Sequence, residues 1–600
     1  MLLPASQGIV YDQRTKSRRS STRTSSWQID WKVMGPITKA RLTLRLVRTV
    51  LTWSKRDIDY RPAGLDNAKF MSARQAVSKV PDGAVVMSSG MGANMRPAIL
   101  YFAFRDVHAE TAHPQGITWI SASGQGGRGR VPGTVEEVAQ PGLCCRFISG
   151  HLETAHAMLQ GGAEGRIELH TMPQGQLILA AEAQGRGEPS IVSDVGVGTF
   201  VDPRVGPGSP VSPNAASNLI SIEGEHLRYT LPPITCAAVL ATEADADGNI
   251  YMRSATIYTE VREAVLAAKR NGGFTIVTVA EIIPKAEKDI FLRAEDVDAI
   301  VVCPRNEQTL TVPQREHWAM FLPGAAEDLE LSLAKLQFVN RLLKLDPLRG
   351  PVENVMARAA VAVLARLARP GAHLINGYGL PQEVGRVLGE AGLARDIDGL
   401  IETGVHGGVP APGLFFGTAI NPERLVSSAE MFRYCRDHLD ATVLGLLQVD
   451  AEGNVNVSRK SARVEDYVGP GGFIDLVCSA KSIIFVGAFQ HHAKLVIENG
   501  RVRVLSPGKP KFVAHVDEVT FSGQEALRRG QAVYYVTSVA TFRLTSRGLE
   551  LIEVMPGIDV QRDILDGSQA RIHAPESVAV IPESYITGVG YRLAWAVERP

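Results

Sequence analysis

Three segments in the first part of the chain have similar counterparts, in the same order, in the last part. Each pair shares a pattern of turns, apolar runs and helix starts, which favours two similarly built halves over three chance matches. The pairs are "PDGAVVMSSGMGANMRPAIL" (81–100) with "RPGAHLINGYGLPQEVGRVL" (369–388), "AAVLATEADADGNIYM" (237–252) with "ATVLGLLQVDAEGNVNV" (441–457), and "AAKRNGGFTIVTV" (267–279) with "SAKSIIFVGAF" (479–489). The spacing between matched segments differs, so the loops between them must differ in length.

The repeated pattern predicts an α/β fold made of two similarly built open domains. Strands alternate with helices, which favours mostly parallel sheets covered on both faces. We expect an N-terminal domain over residues 67–340 and a C-terminal domain over 341–600. Residues 490–556 alternate apolar and polar residues between turn signals such as "ENG", which predicts an antiparallel β segment added to the second half. The segment "PGIDVQRDIL" that follows is expected to start a helix.

The first 66 residues differ in composition from the rest. Up to Arg56 there are twelve lysines and arginines against two aspartates, and "ITKARLTLRLVRTVLTW" has the pattern of a basic amphipathic helix. One interpretation is a targeting peptide or an anchor to an anionic surface. The other is a dispensable extension, and we expect residues 1–66 to be poorly ordered.

Charge and cysteine content exclude some classes of function. The 63 basic and 63 acidic residues balance, so no overall charge favours nucleic acid. No apolar run reaches the roughly 18–20 residues that span a bilayer. The six cysteines are irregularly spaced without a C-x-x-C pair, which predicts buried thiols in a reducing, cytoplasmic compartment.

The motifs of several common chemistries are missing. There is no G-x-x-x-x-G-K-[ST] phosphate loop and no G-x-S-x-G nucleophile elbow. The "GQGGRG" run (124–129) lacks the strand and helix that a dinucleotide loop needs, and the D-x-[DE]-G-N segments predict turns rather than calcium loops. Neither a metal nor a bound cofactor is predicted.

Glu402, in "IETGVHGGVPAPG" (401–413), is the candidate catalytic residue. It follows an apolar strand and enters a loop of glycines and prolines. Glycines let backbone amides approach a developing oxyanion closely, and a carboxylate is ionised near neutral pH without a partner base. A single glutamate beside such amides is sufficient for acyl transfer. The alternative is an ordinary loop carboxylate.

The chain resembles the family I CoA-transferases, in particular the fused-subunit group that includes propionate and acetate CoA-transferases. The similarity rests on "IETGVHGGVPAPG", "QVDAEGNVNVSR", "VGPGGFIDLVCSAKSIIFVGAF" and "PGIDVQRDIL" in the second half. In the first half it rests on "SDVGVGTFVDPR", "LPPITCAAVLATEADADGNIYM" and "EVREAVLAAKRNGGFTIVTV". The resemblance covers roughly residues 67–570 in family order, and it explains the duplication as two subunits joined in one chain.

The resemblance implies a ping-pong exchange of coenzyme A between a short-chain acyl-CoA (acetyl-, propionyl- or butyryl-CoA) and a free carboxylate, through a glutamyl-CoA thioester on Glu402. Coenzyme A is then a substrate. Asn456 and Gly472 match the family's oxyanion donors, while Gly404, Gly471 and Phe473 lie in the same motifs, near the expected CoA. A tight turn before a buried strand is the alternative for the last two. The resemblance also implies a homo-oligomer, with a tetramer expected.

One loop departs from the family pattern. Where a G-x-P sequence is usual, the first half has Met95, Arg96 and Pro97. Arg96 is a candidate contact for a substrate carboxylate or a CoA phosphate, and the alternative is a solvated loop arginine. The acyl specificity is therefore open. Alternative functions are an acyl-CoA hydrolase that uses the same glutamate, a 3-oxoacid CoA-transferase, and a non-catalytic CoA-binding module.

Overall fold

The structure is a computed structural model that describes residues 33–127, 131–344 and 349–596. Within these residues no helix has the length and apolar character needed to cross a membrane. All six cysteines are free thiols.

The first half is built on a sheet of seven parallel strands. In chain order, β1 to β7 are Val85–Ser88, Ile117–Ser121, Cys144–Ser149, Glu168–Thr171, Cys236–Leu240, Phe274–Val279 and Ala299–Val302. Their order across the sheet is β7-β6-β5-β1-β2-β3-β4. In register, Val86 of β1 lies between Trp119 of β2 and Cys236 of β5. Most strand residues are buried on both faces, as is typical of parallel sheets.

The second half is built on a sheet of eleven strands with a parallel centre. In chain order, β8 to β18 are Ala372–Asn376, Ile397–Ile401, Val405–His406, Arg424–Leu425, Ala441–Gly445, Ser482–Gly487, Ala532–Thr537, Ala540–Thr545, Gly548–Val554, Ile572–His573 and Ala579–Val580. The order is β11-β10-β9-β8-β12-β13-β14-β15-β16-β17, and β18 also pairs with β16. Strands β9-β8-β12-β13-β14 run parallel, whereas β14-β15-β16 run antiparallel.

The two sheets share one topology at their centres. The parallel order β9-β8-β12-β13-β14 reproduces the order β2-β1-β5-β6-β7. The three predicted segment pairs fall on matching strands, namely β1 with β8, β5 with β12 and β6 with β13. The predicted duplication is therefore confirmed in the strand order. The antiparallel addition to the second half is also confirmed.

Shorter strands lie outside the two sheets. Both D-x-[DE]-G-N segments form the predicted turns, in each of which the aspartate accepts a backbone hydrogen bond from the asparagine (Asp245 from Asn249, Asp450 from Asn454). The shorter strands are Ile191–Ser193, Ile220–Glu223, His226–Tyr229, Glu243–Ala244, Ile250–Tyr251, Glu281–Ile282, Glu307–Thr309, Val312–Pro313, Val409–Pro410, Ala419–Ile420, Gln448–Val449, Val455–Asn456, Gln490–His491, Lys494–Glu498, Arg501–Ser506 and Lys509–Pro510.

Helices cover the sheets and link the halves. The helices α1 to α13 are Pro36–Thr52, Ala73–Val77, Ala98–Thr111, His156–Ala163, Gln174–Arg186, Val261–Arg270, Leu329–Leu343, Pro351–Leu367, Gln382–Ala391, Ser428–His438, Phe473–Ser479, Gly523–Arg528 and Glu583–Thr587. The helix expected at "PGIDVQRDIL" is a short π-helical segment, Val560–Leu565.

The N-terminal extension is folded from residue 33 onward. The amphipathic pattern forms α1, whose buried Leu42 and Leu46 pack near α7. Farther along, Arg56 forms a buried ion pair with Glu307. The expectation of a poorly ordered extension is therefore wrong for residues 33–66, because an apolar stripe and a buried charge pair attach them to the body. Residues 1–32 lie outside the described residues.

The core runs through both halves. One hydrophobic cluster includes residues of both halves, among them Leu177 of α5 and Phe432 of α10. Helix α7 extends through the expected boundary at residue 340 and packs on Phe415 of the second half. We propose to place the boundary between α7 and α8, since both are continuous helices.

Candidate active site

Glu402 lies at the tip of a tight hairpin. Ile401 of β9 pairs with Val405 of β10, so residues 402–404 form a three-residue loop. Gly404 has φ +101°, and a Cβ there would lie 1.9 Å from the carbonyl oxygen of Val426. Its amide donates to the Ile401 carbonyl. Gly404 therefore shapes the turn that presents Glu402, and its amide is not a free oxyanion donor.

The Glu402 side chain faces a cavity of about 430 Å³ between the halves. It is half-buried, since the cavity leaves part of its surface accessible. Burial, with a smaller contribution from the negative charge of Asp475, raises the pKa of Glu402 to about 7. Among the described residues, no ion pair neutralises this carboxylate. A poorly solvated, unpaired carboxylate is a reactive nucleophile once it is ionised.

Gly472 lies directly against the Glu402 carboxylate. A Cβ at this position would lie 2.1 Å from Glu402 Oε2, so only glycine fits without a displacement. Gly472 immediately precedes α11 and lines the cavity with Phe473. Of the predicted oxyanion donors, Gly472 is the one that the fold brings next to Glu402.

Asp475 and Gly471 join the two halves beside the cavity. The buried Asp475 carboxylate accepts hydrogen bonds from the Gly175 amide (2.9 Å) and from Gln176 Nε2 (2.8 Å), both at the start of α5. Burial raises the pKa of Asp475 to about 6 despite these bonds. The Gly471 amide donates to Gly150, and its carbonyl accepts from Gln174. Gly471 lines the cavity, but both its amide and its carbonyl are engaged in hydrogen bonds between the halves.

The structure does not bring Asn456 to the cavity. Asn456 is fully buried, and its Nδ2 donates to Gln448 Oε1 and to the Arg459 carbonyl, both at 2.8 Å. Its Oδ1 accepts from the amides of Ser458 and Arg459. With both amide protons engaged, Asn456 holds the 456–459 loop together, and the prediction that it donates to the oxyanion is wrong for this structure. Its neighbour Val457 lines the cavity instead.

Arg96 lies inside the protein rather than in solvent. It is 3% exposed and lines the same cavity as Glu402. The alternative of a solvated loop arginine is therefore wrong, because the loop after β1 turns the side chain inward beside Glu307. Phe473 is also buried and stacks near Phe485, at 5.8 Å between ring centroids.

Several cavity residues were missed by the sequence reasoning. Gly124, Gly126 and Gly127 belong to the "GQGGRG" run that was rejected as a dinucleotide loop, and a Cβ at Gly126 would lie 1.8 Å from the Thr154 carbonyl oxygen. A glycine run directly after a strand was the available signal. Trp53 reaches the cavity from the N-terminal extension, and no sequence signal indicated that contact.

No group of three or more histidine, cysteine or acidic side chains within the described ranges is arranged to hold a metal ion. The fold and the cavity define the class as an α/β enzyme of two halves, with a carboxylate presented at the cleft between them.

Comparison with known proteins identifies the family. Residues 70–296 match the family described as coenzyme A transferase. The chain is 32% identical to caffeate CoA-transferase of Acetobacterium woodii over 83% of this chain and 94% of that one. It is 30% identical to acetate CoA-transferase YdiF of Escherichia coli K12 over 83% and 91%. The chain therefore belongs to the family I CoA-transferases and is a CoA-transferase.

Solved structures agree with this assignment. The acyl-CoA transferase YdiF of Escherichia coli O157:H7, described as a thioester complex with CoA, superposes with a TM-score of 0.76. The two chains are 28% identical, and the match covers 86% of this chain and 95% of that one. The YdiF apoenzyme gives a TM-score of 0.77, with 88% and 98% covered.

Proposed function

We propose that this enzyme transfers CoA between an acyl-CoA and a carboxylate by a ping-pong reaction through a glutamyl-CoA thioester on Glu402. The observation that carries the proposal is the Glu402 carboxylate, which lies at a hairpin tip against Gly472 and has no ion-pair partner within the described ranges. The relative crystallised as a CoA thioester supports the same intermediate.

Both half-reactions of the proposed exchange take place on the Glu402 carboxylate. Glu402 attacks the thioester carbonyl, the C–S bond breaks, CoA leaves as a thiolate, and the acyl group remains on Glu402 as a mixed anhydride. The thiolate then attacks the glutamyl carbonyl, which breaks the anhydride C–O bond, releases the acid and leaves Glu402 as its CoA thioester. An incoming carboxylate attacks that thioester, expels the thiolate and forms a new anhydride. The thiolate returns to the new acyl carbonyl and regenerates Glu402.

The environment favours these steps. In this proposal the Gly472 amide donates to the oxyanion that forms at the attacked carbonyl, which the closeness of Gly472 to Glu402 Oε2 supports. Removal of one such donor typically raises the barrier by about 3–4 kcal/mol. Apolar side chains of Phe416, Phe473 and Leu444 line the cavity and limit access of water to the anhydride. Exclusion of water favours transfer over hydrolysis.

The acids proposed from the family resemblance are short-chain ones, with acetyl-, propionyl- and butyryl-CoA as donors. The relatives named for caffeate and acetate show that such enzymes accept acids of different sizes. CoA enters as a substrate, and the proposed reaction uses no resident cofactor.

Mass spectrometry of the peptide that contains Glu402 tests the mechanism. Enzyme mixed with propionyl-CoA and no acceptor is expected to carry a CoA adduct on this peptide, and Glu402→Gln is expected to carry none. Loss of the adduct on addition of acetate, with formation of acetyl-CoA, would complete the cycle. Propionyl-CoA consumed without an acceptor, with free propionate and CoA as the products, would indicate a hydrolase instead.

A further inference from the structure

Arg96 presents buried hydrogen-bond donors that have no acceptor. Its Nε and Nη2 atoms are almost completely shielded from solvent, and no hydrogen-bond partner for either is found among the described residues. The closest carboxylate oxygen, Glu307 Oε2, lies 3.7 Å from Nη2, beyond hydrogen-bond range. Buried donors are normally paired, so an unpaired guanidinium at a cavity wall indicates that a ligand supplies the acceptor.

The charges around Arg96 do not balance. The other carboxylate oxygen of Glu307, Oε1, pairs with Arg56 Nη2 at 2.7 Å. The side chains of Arg56, Glu307 and Arg96 are 7%, 10% and 3% exposed. Two arginines thus share one carboxylate in a buried site. Burial lowers the pKa of Arg96 more than the Glu307 charge raises it, which is the signature of an incompletely compensated cation. A bound anion would remove this imbalance.

A second residue with an unpaired donor comes from the N-terminal extension. Trp53 lines the same cavity, and its indole Nε1 is buried without a hydrogen-bond partner. Three residues later, Arg56 donates a hydrogen bond to Glu307, and Arg96 is left without a carboxylate in hydrogen-bond range. The extension therefore builds one wall of the cavity that holds Glu402.

We propose that Arg96, assisted by Trp53, selects acyl groups that carry a second carboxylate, so that the preferred substrates are monothioesters of short dicarboxylic acids. One carboxyl group is the thioester that meets Glu402, and the distal carboxylate pairs with the guanidinium fork. This inference rests on the proposed transfer through Glu402 and narrows its acyl group. It also assigns a function to part of the extension, for which the sequence left a targeting or anchoring segment and a dispensable segment as alternatives.

Two thioesters of equal chain length test the selection. Succinyl-CoA and butyryl-CoA each carry four acyl carbons and differ in the distal carboxylate. With acetate as acceptor, kcat/KM for succinyl-CoA is expected to exceed that for butyryl-CoA by at least tenfold. Arg96→Met is expected to lower this ratio roughly 10- to 100-fold, the range for loss of a charged hydrogen bond, because kcat/KM for succinyl-CoA falls more than kcat/KM for butyryl-CoA. Arg48→Met, on the exposed face of α1, serves as the control and is expected to leave the ratio unchanged.

Further variants protect the test against misfolding. Arg96→Lys keeps the charge but loses the fork, and Trp53→Phe keeps the ring but loses the donor; each is expected to lower the ratio severalfold. A ratio near one in the wild type, or a ratio that none of these variants lowers, overturns the inference. The Glu402 peptide is analysed in parallel, because an adduct from butyryl-CoA with no preference for succinyl-CoA refutes only the selection. Absence of an adduct from both thioesters refutes the Glu402 mechanism as well.

Discussion

The two halves share one strand order, but the residues that follow matching strands differ between them. After β2 the first half continues with Ala122, Ser123 and Gly124, and after β9 the second half continues with Glu402, Thr403 and Gly404. In both segments the hydroxyl residue donates to a backbone carbonyl, Ser123 to Gly90 and Thr403 to Gly417. The scaffold is repeated, whereas the carboxylate occurs on one side.

The loops after β1 and β8 show a similar contrast. Both line the cavity, but the first presents Arg96 and the second presents Tyr378. Duplication of an α/β unit thus supplies two sets of strand ends that face one cleft, and different residues at those ends give the two halves different roles. The second half supplies the proposed nucleophile, and the first half supplies the unpaired cation.

The strongest test of this division compares two glutamates. Glu402→Gln is expected to lower kcat by roughly 10⁴-fold or more, because the amide cannot form the acyl intermediate. Glu260→Gln, at a buried carboxylate of the first half whose pKa is also raised by burial, is expected to stay within a few-fold of wild type. Steady-state transfer from propionyl-CoA to acetate measures both. Comparable losses would contradict a single nucleophile.

Gly472→Ala is expected to lower kcat by roughly 10²- to 10³-fold. The new methyl group meets Glu402 Oε2 and must displace either the carboxylate or the start of α11. Gly389→Ala in α9 is the matched control, since its Cβ meets no atom within 4 Å. A Gly472→Ala enzyme with normal kcat would show that this contact is not part of the site.

The pH dependence reports on the junction between the halves. Glu402 must be ionised to attack, so the rate of adduct formation is expected to rise with pH to a plateau above its pKa of about 7. Asp475→Asn removes a negative charge next to Glu402 and is expected to move the midpoint to lower pH, with a severalfold higher rate at pH 6. Stopped-flow measurement of adduct formation between pH 5 and 9 gives both midpoints. An unchanged midpoint in the variant would exclude Asp475 as a cause of the raised pKa.

The smallest expected effect concerns stability. The folded-state pKa of Glu402 lies above the ordinary value of 4.5, so the ionised side chain destabilises the fold. This cost is absent below about pH 4.5 and complete above about pH 7. Glu402→Gln is therefore expected to be more stable than wild type by about 1–3 kcal/mol at pH 8. The gain should shrink towards pH 5 in urea unfolding, and a constant gain would point to a cause other than ionisation.

Much of the scaffold followed from local sequence pattern. Strand and helix periodicity, repeated in order, predicted the parallel α/β halves, and "IETG" placed Glu402 at a strand end. Asn456 shows the limit of such motifs. It lies in a motif that predicts an oxyanion donor, but both its side-chain amide protons are donated to Gln448 and Arg459. Hydrogen-bond partners 3–8 residues away depend on how a loop closes, which residue type alone does not specify.

By itself, the sequence determined the fold class, the duplication and the candidate nucleophile, because these depend on periodicity and on residue identity at strand ends. The tertiary structure decided which groups surround the nucleophile. Trp53 and Arg96 are 43 residues apart and share a cavity with Glu402, while Glu307 divides its charge between Arg56 and Arg96. Such contacts join distant parts of the chain, and burial then sets their charge balance and pKa values.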